Sequence, residues 1–147
     1  MKIIVISGAH SSVGKTSLAF KLNELLDNSV RIKIGHHPEK PDGNPNYFLK
    51  GVTIESLKKS YMNHDFLIIE SNQIIEQVKP DCLIFLDGDR EYSEFAKEAS
   101  EQADVYRGKQ VSDEKVDYLI NSLNLSKEVV RKIIKLSNTD FRKKLDQ

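Results

Sequence analysis

The chain has 147 residues, 39% of them hydrophobic, a size that fits one domain with a full core. Lysine plus arginine and aspartate plus glutamate each number 22, and a net charge of zero speaks against a general nucleic-acid binder. With a single cysteine, Cys82, no apolar stretch of bilayer length and no cleavable leader pattern, the chain is expected to be cytoplasmic, without an internal disulfide or a membrane partner.

The first element is a strand over Lys2–Ser7, carried by the apolar run Ile3-Ile4-Val5-Ile6. AHSSVGKT follows at Ala9–Thr16, and then an amphipathic helix over Lys15–Leu26 with Leu18, Ala19, Leu22, Leu25 and Leu26 on its apolar side. Strand, loop and helix in that order are the setting of a phosphate-binding loop. The usual first glycine is replaced by Ala9, and Gly8 stands one residue earlier. Unpaired amides and the helix dipole make such a helix start attractive to anions. Ala9, His10, Ser11, Ser12, Val13, Gly14, Lys15, Thr16 and Ser17 are therefore the expected contacts of a nucleoside triphosphate. Lys15 is expected to reach the outer phosphates, Thr16 to hold Mg²⁺ and Ser17 to meet the innermost phosphate. His10 is expected to turn its ring toward a ligand or partner.

Beyond a turn at Asp27-Asn28-Ser29, Val30–Ile34 reads as a second strand. The stretch Gly35–Asn46 holds all but one of the four prolines and is predicted to be a long loop on the same rim as the phosphate loop. Its His36 and His37 are candidates for binding a second ligand or a partner. Tyr47–Ser60 is predicted as a helix interrupted by Gly51. DFLIIE, Asp65–Glu70, is a strand apolar enough to be covered on both faces. Glu70 at its end is the second catalytic candidate, placed to hold metal-bound water or to orient attacking water. A short helix over Asn72–Val78 and a strand over Asp81–Leu86 follow, the latter ending in Asp87 and Asp89 on the same rim. Asp87 joins the histidines as a candidate contact for a second ligand, the alternative being an ordinary turn. Glu91–Ala103 is predicted as a helix with Tyr92, Phe95, Ala96, Ala99 and Ala103 on one face, and Asp104–Tyr106 as a last short strand. Ser112 and Ser126 then open two amphipathic helices, and Phe141 and Leu145 close a third short piece.

These elements predict a three-layer α/β fold of the P-loop NTPase kind, with a mostly parallel sheet and right-handed crossovers over residues 1–109. Residues 110–147 are expected to form a C-terminal helical extension packed on that core. No Asn-Lys-x-Asp sequence is present to specify guanine, so GTP and ATP both remain open. The five arginines form no lid-like cluster, which predicts slow intrinsic turnover.

The succession ISGAHSSVGKTSL, RIKIGHHPEKPDGNPNYFLKGV and DFLIIES resembles the molybdopterin-guanine dinucleotide biosynthesis protein B family over about residues 1–72. His36-His37 match the start of that family's histidine loop, Gly43–Tyr47 the stretch before its next helix, and Glu70 its acidic strand end. Ser71-Asn72 stand where the family continues into glycine. The resemblance implies a GTP-binding adaptor with weak GTPase activity that assists nucleotide attachment to a molybdenum or tungsten cofactor. It also implies a maturation partner protein and a homodimer. Two alternatives stand beside it: an ATP-dependent small-molecule ligase or kinase, since the loop is similar to that of dethiobiotin synthetase, and a scaffold whose nucleotide only sets its shape.

Overall fold

The runs Ile3–Ile6 and Leu67–Ile69 are apolar at every position, as strands covered on both faces must be, and both lie at the centre of the sheet. The computed structural model describes residues 1–10, 12–35 and 46–139. Six strands are seen there: β1 (Lys2–Gly8), β2 (Ser29–Gly35), β3 (Tyr47–Leu49), β4 (Phe66–Glu70), β5 (Cys82–Leu86) and β6 (Val105–Tyr106). They form one sheet in the order β3-β2-β4-β1-β5-β6, with every neighbouring pair parallel. The expected α/β class is thus observed, with a sheet wholly parallel rather than mostly so.

Five helices connect and cover it: α1 (Lys15–Leu25), α2 (Ile54–Ser60), α3 (Glu94–Gln102), α4 (Asp113–Leu123) and α5 (Lys127–Ser137). Alternation along β1 splits the core. Ile4 and Ile6 join Leu18, Ala19 and Leu22 of α1, together with Val116 and Leu119 of α4 and Val130 and Ile133 of α5. Ile3 and Val5 join Val30 and Ile32 of β2 and Ile54 and Leu57 of α2. Ala96 and Ala99 of α3 belong to the first of these clusters. Among the described residues, no helix is long and apolar enough to cross a membrane.

Three predicted elements differ. Tyr47–Ser60 is not one helix: Tyr47–Leu49 forms β3, paired with Lys33–Gly35, and α2 begins only at Ile54. A free strand edge offers Tyr47 and Phe48 hydrogen-bond partners that outweigh local helix preference. Gly51 at φ 104° turns the chain, and Thr53 caps α2 by accepting from the Ser56 amide. The Glu91–Ala103 helix starts after Ser93, whose hydroxyl accepts from the Ala96 amide, so Tyr92 stands ahead of it. Asn72–Val78 contains a single 3-10 turn, Ile74–Glu76, opened by bonds from the Gln73 and Ile74 amides to the Ser71 hydroxyl. Ser112 and Ser126 cap α4 and α5 through the Lys115 and Val129 amides. The segment from Phe141 to Leu145 lies outside the described residues.

Candidate functional site at the end of β1

Gly8 ends β1 where the chain must double back tightly. A Cβ on it would lie 2.5 Å from Val13 Cγ2, so the loop closes only over a residue without a side chain. Val13 is wholly buried, and it is flanked by left-handed residues, Ser12 at φ 68° and Gly14 at φ 99°. Two side chains from distant parts of the chain hold the loop's backbone. The Asn72 amide clamps Gly8, accepting from its N–H at 3.0 Å and donating to its carbonyl at 3.1 Å. Arg107, just past β6, donates from Nη2 to the Val13 carbonyl at 2.7 Å. Ala9 donates to the Leu86 carbonyl at 3.0 Å. Helices α2 to α5 are each capped by a serine or threonine hydroxyl, whereas α1 starts from Gly14 and, among the described residues, has no side-chain cap. A helix start of this kind can offer its first amides to an acceptor from outside the helix.

The charged groups around α1 are set by sheet register. Ile6 pairs with Glu70 across β1 and β4, and Lys33 pairs with Glu70 across β2 and β4. Parallel partners point the same way, so Glu70 and Lys33 share with Ile6 the face covered by α1. Glu70 is only 1% exposed, and its Oε1 accepts from the Thr16 hydroxyl at 2.7 Å. Lys33 Nζ donates to the same hydroxyl at 3.4 Å, and Lys15 Nζ to the His10 carbonyl at 3.4 Å. Burial pulls the Lys15 pKa below its ordinary value; the Glu70 carboxylate opposes this and the neighbouring Lys33 charge adds to it. Two ammonium groups and one carboxylate thus converge on the first turn of α1. The residues fit a magnesium–nucleotide tail. Thr16 and Glu70 bring together the hard oxygen donors that Mg²⁺ prefers, and the glycine-dependent loop brings its backbone against the same spot.

The remaining predicted contacts divide. Ala9, Ser12, Lys15 and Thr16 line a cleft of about 950 Å³, with Lys33, Gly35, Tyr47 and Lys50 on one wall and Gln73, Glu91, Ser93 and Phe95 on another. Ser17 is exposed on α1. His10 also lines the cleft, but its ring does not swing out as expected: the side chain is 15% exposed and Nε2 lies 3.3 Å from Asp89 Oδ1. Gly88 packs against that ring so closely that a side chain there would collide with it. Asp87 is engaged within the fold, accepting from the Tyr92 hydroxyl and from the Gly88 amide. Cys82 is fully buried in β5, and that burial raises its thiol pKa, as befits a core thiol. Ser11, His36 and His37 lie outside the described residues.

Sequence reading missed Asn72, Arg107 and Lys33. Asn72 had shown only as a departure from the family pattern, and Arg107 only as one of five scattered arginines. Lys33 carried a usable signal, a cation alternating with Ile32 and Ile34 near the end of β2. Comparison with protein-family models, with curated proteins and with solved structures gives no match to this chain.

Proposed function

We propose that the chain is a P-loop nucleoside triphosphatase that binds its nucleotide with Mg²⁺ at residues 9–17 and hydrolyses it slowly. One observation carries this reading: the Thr16 hydroxyl and the buried Glu70 carboxylate meet at 2.7 Å beside Lys15, at the one α-helix start among the described residues that is closed by glycine rather than by a hydroxyl cap. Lys15 would hold the outer phosphates, Thr16 and Glu70 would hold the metal, and Glu70 would orient the attacking water. No arginine among the described residues lines the cleft, which fits slow intrinsic turnover. The family resemblance adds GTP as the nucleotide, an accessory role in molybdenum or tungsten cofactor maturation, a partner protein and a dimer.

Titration with fluorescent GTP and ATP analogues in the presence of Mg²⁺ tests this. Saturable binding that favours GTP and is lost in Lys15→Ala is the expected result. Equal, weak affinity for both would remove the GTP adaptor, and unchanged binding by Lys15→Ala would move the site elsewhere.

A second reading draws support from the cleft itself. At about 950 Å³ it stands near the top of the range of roughly 300–1,000 Å³ typical of small-molecule sites, so a phosphate tail leaves room between Tyr47 and Lys50 on one side and Glu91 and Phe95 on the other. Phosphoryl transfer to a small acid or alcohol would use that space. Nucleotide turnover accelerated by such an acceptor would favour a ligase or kinase over the adaptor.

A further inference from the structure

Lys33 has no place in the pattern that defines a phosphate loop, yet its ammonium comes within 3.4 Å of the Thr16 hydroxyl. The cause is strand alternation. Val30 and Ile32 of β2 are buried among α2 and β4, which sends Arg31 and Lys33 to the opposite face, where α1 lies. Arg31 stacks over Phe20 of α1 at 5.5 Å, and Lys33, two residues nearer the rim, meets the helix start.

A threonine hydroxyl has one hydrogen and two lone pairs. Here the hydrogen goes to Glu70 Oε1 at 2.7 Å, and the oxygen accepts from Lys33 Nζ. A lone pair that would serve a divalent cation is therefore directed at an ammonium carried by the neighbouring strand. Resting on the nucleotide reading above, we infer that Lys33 is a tethered cation standing at the Thr16–Glu70 metal position, so that lysine and divalent metal compete for it. When metal enters, the ammonium must leave Thr16, and the phosphate tail bound at Lys15 offers it an anion to meet. When metal is scarce, the same ammonium neutralises part of that tail. Two cations cannot share so small a space without strong repulsion, because their interaction grows as the inverse of both distance and local dielectric.

The full chain and its Lys33→Met and Lys33→Arg forms test this with Mn²⁺ alone, followed by the paramagnetic signal of the free ion. Lys33→Met should bind Mn²⁺ about tenfold more tightly than the wild type, whereas Lys33→Arg should match the wild type. In nucleotide titrations, replacing Mg²⁺ by EDTA should weaken Lys33→Met about tenfold more than it weakens the wild type. Circular dichroism establishes that each variant folds, and Lys33→Gln replaces Lys33→Met if the latter does not. Equal Mn²⁺ affinity in folded wild type and neutral variants overturns the inference, whatever the nucleotide does. A difference in Mn²⁺ affinity without nucleotide binding by any form leaves the competition standing and removes the nucleotide reading alone.

Discussion

Val13 joins the loop between β1 and α1 to the core: its side chain is wholly buried among Leu18, Leu86 and their neighbours, while its carbonyl is held by Arg107. Gly8 exists to let it in. A methyl at position 8 would meet Val13 Cγ2 at 2.5 Å, with Lys15 Cδ at 3.4 Å and the Leu86 carbonyl at 3.5 Å closing the other directions. Valine is stiff about χ1, so it cannot turn away cheaply, and the bond from Ala9 to Leu86 pins the next residue. Gly8→Ala should therefore destabilise the protein by about 1–3 kcal/mol, as overpacking in a tight core does. Its loss of nucleotide affinity should persist at temperatures where the variant is fully folded. Urea melts and nucleotide titration measure the two effects, and an unaltered melt would mean that the loop does not depend on this approach. The approach of Val13 to Gly8 was not legible in the sequence, because spacing alone does not say which atoms come into van der Waals contact. Asn72 was hidden for the same reason: its pairing with Gly8 spans 64 positions and is created only when β1 and β4 lie side by side.

At the scale of elements, the central strands and α1, α4 and α5 were legible because long apolar runs and serine caps act locally. The edge was not. Tyr47–Leu49 became β3 through pairing with Lys33–Gly35, a partner that no local window contains. Tyr92 likewise left the expected helix face for a cluster at the ends of β5 and β6. Its hydroxyl donates to Asp87 and lies 2.6 Å from the Tyr106 hydroxyl, and Phe85 packs on both rings at 5.3 and 5.2 Å. Burial, followed by the bonds to Asp87 and Tyr106, raises the Tyr92 pKa above its ordinary value. The folded protein therefore keeps this proton at pH values where the unfolded chain, with a tyrosine pKa of about 10, has begun to lose it. Bound protons then number more in the folded state, so stability falls as pH rises. The contribution is fully present below about pH 10 and erodes above it. Thermal melts from pH 8 to 11 should show a shallower decline for Tyr92→Phe than for the wild type. Parallel declines would show that this cluster does not set the alkaline limit.

On the scale of the whole molecule, the end of α5 and the loop between β1 and α1 meet at one side chain. Arg107 donates from Nη2 to the Val13 carbonyl at 2.7 Å and from Nε to the Ser137 carbonyl at 3.4 Å, at the end of α5. The adjoining Gly108 amide donates to Asn138 Oδ1 at 2.8 Å, a second tie to the same helix end. A helix C-terminus carries a partial negative charge and carbonyls without intrahelical partners, so a guanidinium is well matched to it. The same group holds the loop at Val13, as Asn72 does at Gly8. Val116, Leu119, Val130 and Ile133 fix α4 and α5 on the core, which makes that helix end a firm anchor rather than a loose tail. A loop shaped before its ligand arrives loses less freedom on binding, and Arg107 supplies part of that shape. Arg107→Ala should weaken nucleotide binding about tenfold, while far-ultraviolet circular dichroism stays that of a folded protein. Hydrogen exchange separates coupling from simple loosening: amides of residues 12–16 and of residues 133–138 should lose protection together in Arg107→Ala, with β4 and β5 unchanged. Faster exchange in only one of the two segments would mean that Arg107 serves each locally and that α4 and α5 do not hold the loop between β1 and α1 in shape.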